Sequence, residues 1–351
     1  MVAIKKIHAG NARDGVHFSA IREIKILQEM DDMHVVKLHD IFLHRGAIHL
    51  VLDCCATDLA DIINEPSIPH IPLGDVKTYI QQTLMGLDAM HARWFLHRDL
   101  KPENLLVSRD EGVKIADMGL ARSYGSPDRR LTHQVVTRWF RAPELLFGAR
   151  AYGAGIDIWA AGCIFAQLFT RAPMFPGETD IDQLSRIFAV LGSVSEENWP
   201  GVSTLPDYIE FQPVEAAPLE AHLPGIPHDA IDLISKMLTY NPVDRISAAD
   251  ALQHPYFRSN PPPTPNTDLK FPPTKNISLS GGFESADDEE DQDPRPSHSM
   301  DISPAKRPRS PVPNPDEASP LKRGKPLGGT DDDQASSSSS SNNIAKALSF
   351  D

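Results

Sequence analysis

Cysteine is scarce in this chain of 351 residues, and long apolar runs are missing from it. Its three cysteines, Cys54, Cys55 and Cys163, suit neither a disulfide framework nor a zinc site with paired CxxC spacing. No stretch approaches the roughly 18 uninterrupted apolar residues of a membrane helix, and residues 1–30 hold no apolar run followed by a small-residue cleavage site. We therefore expect an intracellular protein of a reducing compartment that is not embedded in a membrane.

Positive charge is also in deficit. The chain carries 34 lysines and arginines against 48 acidic residues, which gives a formal net charge of −14. Non-specific binding to nucleic-acid phosphates requires a basic surface. The charge balance argues against direct binding to DNA or RNA, so we expect any connection with nucleic acid to run through protein partners.

The composition changes near Asn260. Before it, apolar periodicity alternates with turn signals; after it come PPPTP, ADDEEDQD, AKRPRSPVPNP and a run of six serines, which bury too little apolar area to offset the ordering entropy. The pattern predicts strands around one helix (Ser19 to about Met30) up to residue 53, and mostly helices over residues 75–257. We therefore predict an α+β fold with a β-rich small lobe (residues 1–55), an α-rich large lobe (56–258) and a disordered acidic, Pro- and Ser-rich tail (259–351).

The segment HRDLKPENLL, residues 97–106, combines an acid, a cation and an amide at Asp99, Lys101 and Asn104. Eighteen residues after Asp99, a second acid stands in ADMG at Asp117, and RAPE follows with Glu144. Each of these alone is also compatible with a solvated loop charge. The ordered set HRDLxxxN, DxG and APE is the signature of protein kinases, and chance does not produce it at these spacings.

On these motifs, residues 1–257 resemble eukaryotic protein kinases of the cyclin-dependent group, from the third strand of their fold onward. The resemblance implies a bilobal kinase fold and ATP as the phosphate donor. It further implies that Asp99 is the catalytic base, that Lys101 neutralises the transferred phosphate, and that Asn104 and Asp117 hold Mg²⁺ through hard oxygen ligands.

The same resemblance gives a role to VAIK at residues 2–5, where Lys5 alternates into a more buried face of a predicted strand. Lys5 would grip the α- and β-phosphates, and Glu23 would orient it. The alternative is that Lys5 is a surface charge on an edge strand. Further adenine contacts are implied for Ala3 and Leu106 on either side of the ring, and for the hinge residues Asp53 and Cys55. Cys54 and Cys55 are interpreted as small apolar hinge residues and not as reactive thiols.

Two residues depart from the family pattern. Met118 stands where phenylalanine is usual, and Phe140 stands where tyrosine is usual. Because methionine is apolar and of similar bulk, we expect the hydrophobic stack that it joins to persist and do not interpret the change as inactivating. The other members of this stack are His97, Leu27 and Leu38.

Regulation is implied by two further segments. In AIRE, Ile21 resembles the isoleucine that contacts a cyclin, although it is also compatible with a core-facing position. Thr132 and Ser126 resemble sites of phosphorylation in the activation loop. The phosphate on Thr132 would be gathered by three arginines, Arg22, Arg98 and Arg122.

The resemblance also implies residues that select the substrate and residues that support the HRD loop and the RAPE segment. Val136 and Arg141 resemble the strained carbonyl and its arginine partner that favour proline after the target residue. Asp157 is expected to brace the HRD loop, and Arg245 is expected to pair with Glu144.

Within the cyclin-dependent group, GSP and THQVVTRW are most similar to the CDK-activating kinases. This similarity implies a cyclin H-like cyclin, a RING-finger assembly factor and TFIIH as partners. The implied substrates are other cyclin-dependent kinases and the C-terminal repeat of RNA polymerase II. Two alternatives stay open: another cell-cycle kinase of the group, and a cyclin-binding pseudokinase that is catalytically impaired because the family's glycine-rich loop is missing before VAIK.

The ends of the chain give two more expectations. KRPR (306–309) and KRGK (322–325) are basic islands in the acidic tail, which indicates either a nuclear-import signal or charge balance. The family places two strands and a glycine-rich loop before VAIK, so we expect a GxGxxGxV segment to be encoded upstream of Met1. We expect the protein to be nuclear.

Overall fold

A computed structural model of the chain describes residues 1–7, 18–125, 132 and 135–272. Its strands are β1 (Val2–Ile7), β2 (Leu38–His44), β3 (Ala47–Asp53), β4 (Thr57–Asp58), β5 (Phe95–Leu96), β6 (Leu105–Ser108), β7 (Gly112–Ile115) and β8 (Arg122–Ser123). Its α-helices are α1 (Phe18–Glu29), α2 (Leu59–Asn64), α3 (Leu73–Ala92), α4 (Pro143–Leu146), α5 (Gly155–Thr170), α6 (Asp180–Leu191), α7 (Leu219–His222), α8 (His228–Met237) and α9 (Ala248–Leu252).

The small lobe is an antiparallel sheet with the strand order β1-β3-β2, together with α1. In β1 the exposed residues alternate with partly buried ones, and Lys5 lies on the more buried face, as the alternation of VAIKKI predicts. Strands β2 and β3 are joined by a two-residue turn at Arg45 and Gly46, which both have positive φ. Such turns match the right-handed twist of a hairpin.

The large lobe is helical and is organised around α3 and α5. Helix α5 is apolar on nearly all sides and packs against α3 and α8, which is typical of a helix in the centre of a domain. Several shorter helices begin with a side-chain cap; Thr179 accepts a hydrogen bond from the Asp182 amide at the start of α6. The two-lobed α+β architecture predicted from the sequence is confirmed.

Two small antiparallel sheets position the loops between the lobes. One has the order β4-β6-β7, and the other pairs β5 with β8. Strand β7 is also hydrogen-bonded to the small lobe, since the Ile115 amide donates to His34 O at 2.8 Å and the Val36 amide donates to Ile115 O at 2.9 Å. The segments that follow β5 and β7 are therefore held beside each other.

The expectation that disorder begins at residue 259 is wrong for residues 259–272, which pack on the large lobe. Lys77 of α3 donates to the Ser259 carbonyl at 2.6 Å, and Thr78 donates to the Thr264 carbonyl at 2.6 Å. Farther along, the guanidinium of Arg109 lies over the Phe271 ring. The later basic islands and serine run lie outside the described residues. Among the described residues, no helix is long and apolar enough to cross a membrane.

Candidate active site

The backbone of the HRD segment after β5 is hydrogen-bonded to one buried carboxylate. Asp157, in the first turn of α5, accepts from the backbone amides of His97 and Arg98, both at 2.9 Å, and from His91 Nε2 at 3.0 Å. Burial alone would raise the pKa of Asp157, but the hydrogen bond and charge of His91 and the backbone donors lower it below its ordinary value. The bracing expected of Asp157 is present, and it supports Arg98 in a left-handed conformation with φ 68°.

Asp99 directly follows Arg98, whose amide donates to Asp157. The two carboxylate oxygens of Asp99 have different partners. Oδ2 lies 3.1 Å from Lys101 Nζ. Oδ1 accepts from the Thr137 hydroxyl at 3.1 Å and from the Thr137 amide at 3.2 Å. Thr137 stands in the VVTRW segment, but no sequence motif predicts a role for it. Its contact with Asp99 spans 38 residues, and no spacing rule predicts such a contact.

Asn104 is oriented by the same loop. Its amide nitrogen donates to the Asp99 carbonyl at 2.8 Å, and the residue ends a 3-10 turn that begins at Pro102. Its own carbonyl accepts from the Ala116 amide at 2.9 Å, so the HRD segment is hydrogen-bonded to the residue immediately before Asp117. The structure thus brings Asn104 and the Asp117 segment together.

Lys5 bridges the two lobes. Its ammonium lies 2.8 Å from Glu23 Oε1 of α1 and 3.0 Å from Asp117 Oδ1. Burial lowers the pKa of Lys5, but the hydrogen bonds and charges of Glu23 and then Asp117 outweigh this effect and raise it. Burial would likewise raise the pKa of Asp117, yet Lys5 lowers it. Lys5 and Asp117 are therefore charged near neutral pH. Because Lys5 is paired with both Glu23 and Asp117, the interpretation of Lys5 as an isolated surface charge does not fit.

The ADMG segment turns sharply at Asp117, whose φ is 63°. Met118 follows it and is fully buried, as is His97, while Leu27 is nearly so. The turn Met118–Leu120 packs against α1. Met118 is thus buried within the apolar core. Phe140, the other residue that departs from the family pattern, is buried too.

The hinge joins β3 to β4. Ala3 and Leu106 are half-buried, Cys54 is exposed, and Cys55 is half-buried. Burial raises the pKa of the Cys55 thiol to about 11, so this residue is a neutral thiol at physiological pH. The side chain of Asp53 accepts from three donors, which the sequence did not predict.

The segment that precedes RAPE has a second strained residue. Val136 has φ 68°, a genuine outlier for a β-branched side chain, and its carbonyl accepts from Arg141 at 3.0 Å. Arg141 in turn lies 3.1 Å from Asp180 at the start of α6. The ion pair expected between Arg245 and Glu144 is present and buried, with distances of 2.7 and 2.9 Å.

Two of the three arginines assigned to phosphate binding, Arg22 and Arg98, donate to the turn after Asp117. Arg98 Nε donates to the Leu120 carbonyl at 2.7 Å, and Arg22 donates to the Gly119 carbonyl at 3.4 Å. Arg22 and Arg122 line one cavity of about 450 Å³. Arg98 also donates to the Tyr152 hydroxyl at 3.0 Å, and that hydroxyl donates to the Thr132 carbonyl at 2.5 Å. Thr132 is exposed beside this group; Ser126 lies outside the described residues.

Ile21 is 51% exposed on α1, although its helix neighbours Ala20, Ile26 and Leu27 are buried. The alternative of a core-facing isoleucine is therefore wrong. A large apolar side chain exposed on this helix is available for contact with a partner.

The side-chain oxygen atoms of Asn104 and Asp117 suit a hard metal cation. The amide nitrogen of Asn104 is engaged by Asp99, which leaves its oxygen for a metal ion. Asp117 contributes an ionised carboxylate. Oxygen ligands of this kind suit Mg²⁺, which is usually bound by one or two carboxylates together with substrate phosphates.

Residues 1–257 match the family model for the protein kinase domain. The chain belongs to the protein kinase family. Within the family it groups with cyclin-dependent kinase 7, as its motifs predict. It is 50% identical over 283 residues to cyclin-dependent kinase 7 of Dictyostelium discoideum, a match that covers 80% of this chain and 78% of the relative.

Two further comparisons agree. Cyclin-dependent kinase D-1 of Oryza sativa subsp. indica is 50% identical over 277 residues, which are 79% of this chain and 65% of the rice protein. The chain thus spans slightly less than two thirds of that relative. Among solved structures, the CAK complex from Chaetomium thermophilum bound to ATP-gamma-S matches with a TM-score of 0.72 and 38% identity, covering 76% of this chain and 86% of that one.

Proposed function

We propose that the chain is a cyclin-dependent serine/threonine protein kinase that transfers the γ-phosphate of ATP to hydroxyl groups followed by proline. One observation carries this proposal: Lys5, Glu23 and Asp117 form a connected ion-pair group, and the Asp117 segment is hydrogen-bonded to the loop of Asn104 and Asp99. A pseudokinase would not need all of these charges in one arrangement.

Each residue has a defined task in the transfer. Asp99 accepts the proton of the substrate hydroxyl as the oxygen attacks the γ-phosphorus, and the bond to the β-phosphate oxygen breaks to release ADP. Lys101, beside Asp99, stabilises the negative charge on the phosphoryl group. Lys5 binds the α- and β-phosphates, held in place by Glu23. Asn104 and Asp117 would hold Mg²⁺, which supplies charge neutralisation on the phosphate oxygens when bound.

Proline specificity follows from Val136. Because its carbonyl is held by Arg141, it does not accept a hydrogen bond from the residue after the target. Proline has no amide hydrogen and loses nothing there, whereas any other residue would bury an unpaired N–H. Val136 and Arg141 therefore select Ser-Pro and Thr-Pro sites.

We further propose that a cyclin H-like cyclin binds at Ile21 and that phosphorylation of Thr132 adds charge for Arg22, Arg98 and Arg122. The exposure of Ile21 and the contacts of Arg22 and Arg98 with the turn after Asp117 support this regulation. By similarity to cyclin-dependent kinase 7, the proposed partners are a RING-finger assembly factor and TFIIH. The proposed substrates are kinase activation loops and the polymerase II C-terminal repeat, and the proposed location is the nucleus.

The test is the variant Asp99→Asn in the full chain, copurified with its cyclin. Loss of the base is expected to reduce phosphate transfer to a polymerase-repeat peptide by about 10²-fold or more, since general-base catalysis contributes 10²–10⁴-fold. Glu103→Gln, an exposed change in the same loop, is the matched control and should retain full turnover. Cyclin copurification should be unchanged in both variants; comparable turnover of Asp99→Asn and the wild type would contradict the assignment.

A further inference from the structure

The carboxylate of Asp53, at the hinge end of β3, is held from both lobes. Oδ1 accepts from His39 Nε2 of β2 at 2.7 Å. Oδ2 accepts from the Lys37 backbone amide at 3.0 Å and lies 2.9 Å from Lys114 Nζ of β7. Two of these donors belong to the small lobe, and Lys114 connects the same carboxylate to the large lobe.

Lys114 is an unusual residue to find in this position, because its side chain is only 4% exposed. Its second partner is Glu111, 2.9 Å away. Burial lowers the pKa of Lys114, but Glu111 and Asp53 outweigh it and raise the pKa; for Asp53, the amide of Lys37 and then Lys114 outweigh burial and lower it. Both groups are charged near neutral pH, and a buried charge is tolerated only where it is paired.

The position of Lys114 in its strand relates it to the nucleotide cleft. In the β6–β7 ladder, Lys114 is the register partner of Leu106. We assign Leu106 to the large-lobe side of the adenine ring, which we call the floor of the nucleotide cleft. Asp117, assigned to metal binding, follows Lys114 three residues later. The ammonium of Lys114 therefore pairs with the hinge carboxylate of Asp53, while the backbone of Lys114 pairs with Leu106 and belongs to the strand that leads to Asp117.

We propose that the Asp53–Lys114 ion pair fixes the hinge backbone against the floor of the nucleotide cleft and so sets the affinity for ATP. Lys114 is a positioning residue: it acts through Asp53 and Leu106 and does not touch the phosphates. Without it, His39 and the Lys37 amide tie Asp53 to the small lobe alone, and the distance between hinge and floor is no longer fixed by a charge pair. This inference rests on the proposed function, because it concerns the same nucleotide cleft.

The variant Lys114→Met removes the charge while it keeps a long side chain in the buried position. The fold is expected to persist, since Ile115 keeps its two backbone hydrogen bonds to the small lobe. We expect KM for ATP to rise about 5- to 10-fold, which corresponds to roughly 1–1.4 kcal/mol. At saturating ATP, kcat and KM for the peptide should stay within about twofold of the wild type, because the reacting groups are unchanged.

Lys37→Met is the matched control. Its side chain is largely exposed and lies 3.5 Å from Asp31, and only its backbone amide contacts Asp53. The same type of substitution near the same carboxylate should therefore leave KM for ATP unchanged. A double-mutant cycle with Asp53→Asn adds a second test: the effects should be non-additive, since each change removes the same pair.

Steady-state kinetics are measured on the full chain with its copurified cyclin and a polymerase-repeat peptide, and titration with a fluorescent N-methylanthraniloyl-ATP gives nucleotide affinity without turnover. A weakened affinity in Lys114→Met but not in Lys37→Met supports the proposal. An unchanged affinity, or a loss of kcat alone, overturns it, because either would show that Lys114 only maintains the fold. If the wild type transfers no phosphate, the proposed kinase function fails, yet the fluorescent titration still decides the role of the pair.

Discussion

The hydroxyl of Thr137 offers a sharp test of how Asp99 is oriented. Thr137→Val removes this hydroxyl and keeps the shape of the side chain and the backbone amide, which remains 3.2 Å from Asp99 Oδ1. The lost hydrogen bond is 3.1 Å long and ends on a carboxylate. Bonds to charged groups contribute about 1.5–3 kcal/mol, and the solvent-accessible setting and the surviving amide favour the lower end.

We therefore expect kcat to fall about tenfold, the equivalent of about 1.4 kcal/mol. KM for ATP should not change, since Thr137 contacts Asp99, whereas Lys5, which we assign to phosphate binding, pairs with Glu23 and Asp117. The assay is steady-state transfer to a Ser-Pro peptide at saturating ATP, with Thr204→Val, an exposed threonine whose hydroxyl contacts the Gly201 carbonyl, as the control. A kcat within twofold of the wild type would refute the argument that this hydroxyl positions the base.

Two further changes test the bracing and the partner surface. Asp157→Asn leaves buried amides poorly paired and should lower the free energy of unfolding by about 3 kcal/mol, measured by urea denaturation. Because the pKa of Asp157 is lowered in the folded state, its contribution is fully present above its unfolded pKa of about 3.9 and is lost as the pH falls through the lower folded value. The loss of stability below pH 4 should thus be shallower in the variant; an equal slope would exclude this carboxylate as a cause. Ile21→Asp should abolish cyclin copurification and leave the melting temperature of the isolated chain unchanged, whereas retained cyclin would show that Ile21 is not a contact.

The sequence predicted the local parts of the site well. Asp99, Lys101 and Asn104 fall within six residues of one loop, so a motif fixes their relation directly. The pairing of Lys5 with Glu23 was predicted through the family resemblance, and the observed strand and helix bring the two together. The helix itself was predicted within one residue at each end, because its apolar stripe has a clear period of 3.6.

Contacts across long separations were not predictable from spacing. Thr137 reaches Asp99, and Lys114 reaches Asp53, only after strands and loops from different parts of the chain have assembled. Neither partner is marked by a periodic pattern. Their residue types are common on surfaces, so composition gives no signal for them.

The folded region extends beyond the predicted boundary at residue 259, and the reason is a different one. Composition measures whether a segment can bury apolar area by itself, and residues 259–272 contain few apolar side chains. Two of these, Leu269 and Phe271, pack on the core of the large lobe. The segment is held as well by hydrogen bonds to side chains of α3, such as that from Gln82 to Asn266 at 2.8 Å. A proline-rich stretch that docks on a preformed helix needs few apolar residues of its own.

Proline-directed kinase activity is measured directly by the transfer of radiolabelled γ-phosphate from ATP by the full chain copurified with its cyclin. Two peptides that differ only in the residue after the target serine, proline in one and alanine in the other, serve as acceptors. We expect phosphoserine in the Ser-Pro peptide and little label in the Ser-Ala peptide, because the Val136 carbonyl is hydrogen-bonded to Arg141. Absence of label in both peptides, with cyclin bound and Thr132 phosphorylated, would contradict the assignment of this chain as a proline-directed kinase.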